Sequence, residues 1–558
     1  MILSDSLEPK EVFKYFEEIC AIPHGSGNTE AIRQYLCDFA GKHDLDHVTD
    51  AVGNVIIYKS AAPGHEEALA VILQGHMDMV AVCTPDSGID MTTHKLELQI
   101  NRDYLSARDT SLGGDDGIAV AMMLAVLASD ELEHPAIEAL FTMDEETGMD
   151  GARGLDTSLL QGRRLINIDS EEEGYVYVGC AGGARVYLDL PIERKEVNIT
   201  SEPNTDLVRI KDEIGITQNN QSVQPHQSVD IIPQLRIFRI DISGCAGGHS
   251  GSEIHRGRAN ANILTGRVLY ELLHHNMTND TNSLSNTDTT SNFTIHSDFD
   301  EIQEGSSDGH KDTRSVPDAI SFISFDGGHV DNAIPISATL IISAAERPST
   351  FDRISKEITD EFKTTDPEMT ITIRELTGEE TDDLPQPATA QSTSRLADLL
   401  ISLPNGVQSM SADIEGLVET SLNLGVVQTV DDHVTLQFSV RSSVESAKRS
   451  LIDRLTALAS LSGASTEVNG SYPGWQYRPD SPLRDHMVRI YREMRDREPV
   501  IKAIHAGLEC GFFVSAIEGL DCVSIGPEMH DVHTVNEHLS ISSTARTWEY
   551  LLRVLATM

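Results

Sequence analysis

Four short apolar runs in this chain each give way, within a few residues, to histidine or carboxylate side chains. Ala68 to Leu73 (ALAVIL) leads to Gly75-His76-Met77-Asp78, and Ile137 to Met143 (IEALFTM) leads to Asp144-Glu145-Glu146. Leu165 to Ile168 (LINI) leads to Asp169-Ser170-Glu171, and Cys522 to Ile525 (CVSI) leads to Glu528, His530 and His533. Runs of this length and make-up read as buried strands. Ile118 to Leu127 (IAVAMMLAVL), entered from Gly113-Gly114-Asp115-Asp116-Gly117, reads as a buried helix. Strands alternating with helices predict an α/β fold with some parallel pairing. In open α/β sheets the carboxyl ends of the strands line the ligand crevice, so these side chains are expected to meet.

Each cluster taken alone has a plainer explanation. His76-x-Asp78 is a short-range polar pair, Asp115 or Asp116 can cap the helix that follows, and Glu145-Glu146 is an acidic turn in an acidic chain. Their shared position after strand ends points instead to a metal site. Imidazole and carboxylate donors suit zinc or a mixed-metal centre. Of two adjacent acids at such a site, one can hold metal while its neighbour acts as general base on the attacking water.

Composition excludes several other classes. Asp plus Glu outnumber Lys plus Arg by 88 to 42, a net charge of −46, which repels nucleic acid and anionic membranes. We read that charge as a strongly solvated surface, because it is spread along the chain. No apolar run reaches the ~18–20 residues of a membrane span. The seven cysteines are scattered and form no Cys-x-x-Cys pair, which argues against a disulfide scaffold or zinc ribbon. The N-terminal stretch has acids before any apolar run and no basic region, so a cytoplasmic protein is expected. Residues 195–230 and 276–317 are polar and aperiodic and are expected to be flexible surface insertions.

The strings GHMDMV, GGDDGIAVA, DEETGM and NIDSEEEG together resemble the di-zinc exopeptidase family of aminoacylases, carboxypeptidases and dipeptidases. GGHSG with Ile254-His255, LPNGVQSMSADIEGLVETSLNLGVV (403–427), YPGWQYRPDSPL (472–483) and IHAGLECG (504–511) narrow the resemblance to the aminoacyl-histidine, or cytosol non-specific, dipeptidases. It spans nearly the whole chain outside the two polar stretches. It implies a phosphorylase/hydrolase-like zinc exopeptidase catalytic domain made of residues 1–186 and 455–558. An α/β lid domain, residues 187–454, is inserted between those segments and contains both polar stretches.

The resemblance also implies roles. His76 and Asp169 would hold one divalent metal, Glu146 and His533 the other, and Asp115 would bridge them. Zinc is the metal implied, with cobalt or manganese as alternatives. Asp78 would orient His76, and Glu145 would be the general base. His249, from the lid, would donate a hydrogen bond to the oxyanion. Asn332 and Arg441 would contact substrate, Arg441 through the free C-terminal carboxylate. Asp116 stands where the family often has Asn and is expected to be a turn residue. The family's last ligand usually precedes a Pro two residues on; here Val535 takes that place, and His530 is a rival to His533. Glu509 could meet the substrate amine or serve the structure. The implied activity is hydrolysis of unblocked dipeptides, Xaa-His and β-alanyl-histidine included, by a cytoplasmic homodimer with small peptides as substrates. An aminoacylase, a tripeptidase and an inactive metal-binding scaffold are the alternatives.

Overall fold

The computed structural model describes residues 6–195, 235–274 and 320–558, so the polar stretches, Lys195 apart, lie outside the described residues. Its first sheet has eight strands. Their order is His47–Thr49, Val55–Lys59, Ile137–Thr142, Val71–His76, Arg164–Asn167, Asp521–Ser524, Tyr175–Cys180 and Val500–Ile504. The middle four strands are mutually parallel. Each starts or ends within three residues of the run expected from sequence.

Alternation along the strands explains why this sheet is covered on both faces. Val55 and Ile57, Val71 and Leu73, and Ala139 and Phe141 face one core with the helices Lys10–Cys20, Gly114–Ala128 and Ile541–Leu555. Ile56, Ile72 and Leu140 face a second core with Trp475, Phe512 and Phe513. From Gly114 to Leu127 every residue of the helix is buried, as the unbroken apolar run Ile118 to Leu127 requires of most of it.

A second sheet has nine strands among the described residues, all antiparallel. Helices Ala261–His274, Phe351–Glu361, Ala390–Ser402 and Glu445–Leu461 share a core with it. In the strand Gly182–Pro191, Val186, Leu188 and Leu190 point into that core while Arg185 is exposed, the pattern of a sheet with one wet face.

The boundaries expected at 186/187 and 454/455 need correcting. The first falls inside the strand Gly182–Pro191 and the second inside the helix Glu445–Leu461; the second sheet's elements run from Gly182 to Tyr472. Only Ala181 separates Gly182 from the strand Tyr175–Cys180 of the first sheet, so no turn signal marks the crossing. The chain returns beside its point of departure: Cys180 and Trp475 exchange two backbone hydrogen bonds, each 2.9 Å. Glycine is required at this crossing, because a Cβ on Gly182 would lie 2.4 Å from the Gly474 nitrogen.

Candidate metal centre and its surroundings

The parallel strands bring the expected residues to one edge. Val71–His76 ends in His76, Ile137–Thr142 runs into Glu145-Glu146, and Arg164–Asn167 runs into Asp169. Asp115 opens the buried helix, and His533 lies in the loop beyond Asp521–Ser524. Asp115 stands between two histidines. Its Oδ1 is 3.1 Å from His76 Nε2 and its Oδ2 is 3.1 Å from His533 Nε2. Asp169 Oδ1 is 3.6 Å from His76 Nε2, and Glu146 Oε1 is 3.0 Å from His533 Nε2. The rival His530 points elsewhere, 3.5 Å from Glu528, and lines a cavity beside Asp169.

Asp78 sits behind the centre. His76 Nδ1 approaches its backbone carbonyl at 3.0 Å and its carboxylate at 3.4 Å, which leaves Nε2 facing Asp115. The same carboxylate accepts from the Glu145 nitrogen at 3.0 Å, the Glu146 nitrogen at 3.4 Å and the Ser26 hydroxyl at 2.7 Å. One buried aspartate therefore holds an imidazole and the acidic turn together.

Asp116 is more than a turn residue. It is fully buried, and its Oδ2 accepts from the His76 nitrogen at 3.1 Å, tying the helix to the strand end. Neither it nor Asp115 caps the helix through its side chain. Glu509 is 0 % exposed, and its Oε2 accepts from Gln74 and Thr142 at 2.6 and 2.7 Å beneath the strand ends. Burial pushes its carboxyl up to about 8.

The donor set fits divalent metal. It is imidazole nitrogen and carboxylate oxygen, with no sulfur. Three overlapping groups have donor atoms within 4.8 Å of one another: His76, Asp116 and Asp169; His76, Glu145 and Glu146; and Asp115, Glu146 and His533. The first group includes Asp116 where Asp115 was expected. We favour Asp115, because Asp116 Oδ2 already takes the His76 N–H while Asp115 reaches the ring nitrogens. The buried Asp116 Oδ1 has no hydrogen-bond partner, and Glu146 Oε1 has only its approach to His533. The site also asks for positive charge. Hydrogen bonds donated to the Asp115 and Glu146 carboxylates lift His533 to about 11. Burial alone would lower His76, but Asp115, Asp169 and Asp78 outweigh it and hold it well above its usual value. Burial pushes Asp169 to about 6 and Glu145 well above the usual carboxylate range.

His533 has a φ of +65° and Asp144 a φ of +49°, both in the left-handed region that non-glycine residues seldom adopt. In place of the missing proline, Thr534 braces the His533 loop: its hydroxyl donates to the Asp531 carbonyl at 2.7 Å and accepts from the Asn536 nitrogen at 3.1 Å.

The second sheet contributes another cluster. A Cβ on Gly251 would lie 2.9 Å from His249 Cε1, 3.1 Å from Arg441 Nε and 2.5 Å from the His505 carbonyl, so these residues meet in one chain. His249 Nδ1 accepts from the backbone nitrogens of Gly251 and Ser252 at 3.2 and 3.0 Å. A ring nitrogen accepting two N–H groups carries no proton, so the neutral ring's proton sits on Nε2. Burial and Arg441 lower the ring's pKa and keep it neutral at pH 7. Arg441 is 8 % exposed and donates from Nη1 to Tyr472 at 3.2 Å, while its Nε has no partner. Asn332 is exposed, and its carbonyl accepts from the Ser250 nitrogen at 2.8 Å, next to the Gly248–His249 strand. Sequence reasoning missed His505 and Ser421, whose side chains meet at 2.7 Å beneath Arg441, and also Glu537. The IHAGLECG string carries the only local signal for His505.

The comparisons agree with this geometry. The profile of peptidase family M20/M25/M40 matches residues 72–557. The cytosol non-specific dipeptidase of Escherichia coli K12 is 33 % identical over 551 residues, 98 % of each chain. The crystal structure of aminoacylhistidine dipeptidase from Vibrio alginolyticus superposes with a TM-score of 0.81 at 31 % identity, covering 100 % of this chain and 98 % of that one. Aminopeptidase PepT from Bacillus cereus shares the fold at a TM-score of 0.50 and 14 % identity, covering 99 % and 98 %. A histidine–carboxylate centre at the strand ends, a matching profile and a relative aligned from end to end lead to one conclusion: the chain belongs to peptidase family M20/M25/M40 and is a peptide hydrolase.

Proposed function

We propose that this chain is a two-metal dipeptidase that hydrolyses unblocked dipeptides, Xaa-His and β-alanyl-histidine among them. The observation that carries the reading is Asp115, whose two oxygens face different histidines at equal distance. His76 and Asp169 would hold one metal and Glu146 and His533 the other, with Asp115 as the shared ligand. Zinc suits the donors best, and cobalt or manganese can substitute. Bound metals supply Lewis-acid polarisation and make water nucleophilic at neutral pH. Glu145, whose backbone N–H is held by Asp78 and whose carboxylate pairs with neither imidazole, takes the water's proton on its carboxylate and passes it to the leaving amine. The second sheet acts as a lid. His249 Nε2–H is a donor for the developing oxyanion. The unmet Nε of Arg441 suits the substrate's free carboxylate, with Asn332 beside it.

The cavity of about 370 Å³ beside Asp169 is lined by Glu171, Glu172 and Glu528 against Lys502 and His530. Lys502 is already engaged with Glu172 at 2.6 Å, so the remaining acids suit a cationic α-amine. That favours an unblocked substrate over the blocked one of an aminoacylase. The retained Glu145 speaks against an inactive scaffold, since a binder needs no base. All seven cysteines are free, and the E. coli relative carries "cytosol" in its name, which together support a cytoplasmic place. We also propose a homodimer, although His249 and Arg441 meet within one chain without a partner.

The test is metal analysis together with hydrolysis of carnosine, N-acetylated dipeptides, dipeptides and tripeptides. Two metals per chain and turnover confined to free dipeptides are expected. Preference for N-acetylated substrates or tripeptides would make it one of the alternatives, and metal without turnover would make it a scaffold.

A further inference from the structure

Four successive backbone N–H groups at the turn that delivers Asp115 point at a single side chain. Glu537 Oε2 accepts from Leu112 at 2.8 Å and Gly113 at 3.1 Å, and its Oε1 accepts from Gly114 at 2.8 Å and Asp115 at 3.3 Å. Glu537 is 3 % exposed and comes from more than 420 residues away. The turn is shaped around it. Gly113 has a φ of +66°, and a Cβ there would lie 2.7 Å from Met79 Sδ; a Cβ on Gly114 would lie 3.3 Å from Glu537 Oε1.

Asp115 and Asp116 have non-helical backbone angles, so these N–H groups belong to the turn ahead of the regular helix, and Glu537 is the acceptor that satisfies them. A capping carboxylate accepts from N–H groups two and three residues further on, which for Asp115 are those of Gly117 and Ile118. Here Asp115 does not, and its oxygens face His76 and His533 instead. Resting on the two-metal reading above, we infer that Glu537 is a positioning residue: by accepting all four N–H groups it fixes the turn so that the Asp115 carboxylate faces both histidines and is free to bridge. Glu537 also lies four residues after His533, so one loop brings a histidine to one side of Asp115 and fixes the backbone on the other. With Glu537 gone, the four N–H groups lose their acceptor, the turn loosens, and the Asp115 carboxylate shifts relative to both histidines at once.

The experiment is zinc competition against a chromophoric chelator, with stepwise affinities for both metals, on wild type, Glu537→Gln and Glu537→Asp. The melting temperature of each metal-free form is measured alongside. Two zinc ions on the wild type test the metal reading itself, apart from Glu537. Groups that orient metal ligands are worth about 10–100-fold in affinity, so Glu537→Gln should weaken both zinc ions by that factor. Glu537→Asp keeps the charge but reaches one methylene less, and should lose more than twofold at both. Affinities within twofold of wild type, even with a lower metal-free melting temperature, overturn the inference. Loss of only one metal also overturns it, since that would make Glu537 an anchor for the His533 loop alone. Should Glu537→Gln prove insoluble, Glu537→Asp carries the same two criteria.

Discussion

Glu145 and Glu146 are neighbours in sequence, yet the turn held by Asp78 gives them different tasks. Glu146 stands 3.0 Å from His533, whereas Glu145 comes within 4.8 Å of His76 without pairing with it. Glu145→Gln keeps the shape but cannot take a proton, so metal content should stay at wild-type level while kcat falls by ~10²–10⁴-fold. Near-normal turnover would remove Glu145 from the mechanism. Arg441 belongs to the same scale. A charge-assisted contact to a carboxylate is worth about 1.5–3 kcal/mol, so Arg441→Ala should lower kcat/KM for a dipeptide at least about tenfold. The corresponding dipeptide amide should be a poor substrate for wild type and lose little more in the variant; equal losses on acid and amide would give Arg441 a purely structural role. His76, Asp115, Glu146, Asp169 and His533 were legible because each lies in a short string beside a strand or helix end, where local pattern and site coincide. Glu537 and the His505–Ser421 pair were not. A carboxylate answering backbone N–H groups leaves no mark in its own neighbourhood, and Ser421 reads as one more small residue of a strand.

Among the elements, the contact between the strand Val71–His76 and the helix Gly114–Ala128 sets the centre's geometry. Gly75 lets them touch. A Cβ there would lie 2.5 Å from Asp116 Oδ2 and 2.9 Å from Ala119 Cβ. Gly75→Ala must push the helix away from the strand that carries His76. Overpacking of this kind costs about 1–3 kcal/mol, so urea unfolding of the metal-free variant should show that loss. Unchanged stability would mean the helix shifts freely, and zinc affinity should then fall instead. The central strands could be read from their apolar runs because parallel strands covered on both faces need no polar alternation. The second sheet was harder to delimit. Its first strand follows the preceding one with a single alanine between them, and the helix Glu445–Leu461 runs through the expected boundary without a break.

At the scale of the whole molecule, the hydrophobic cores divide cleanly. Every buried residue of the two cores on the first sheet lies outside residues 182–472, and every buried residue of the second sheet's main core lies inside them. Replacing residues 182–472 by a short Gly-containing turn between Cys180 and Trp475 should therefore leave a folded protein that binds two metals. Without His249 and Arg441 its dipeptidase activity should drop to background. Circular dichroism, zinc titration and a carnosine assay check the three parts, and an insoluble product would show that the first sheet depends on its cover. The paired hydrogen bonds between Cys180 and Trp475 give this arrangement a consequence in ancestry. A segment that departs and returns through adjacent residues can be lengthened, exchanged or lost without rethreading the sheet beneath it. Substrate preference can thus be inherited separately from the metal-holding half, as a cassette hung on one two-residue clasp.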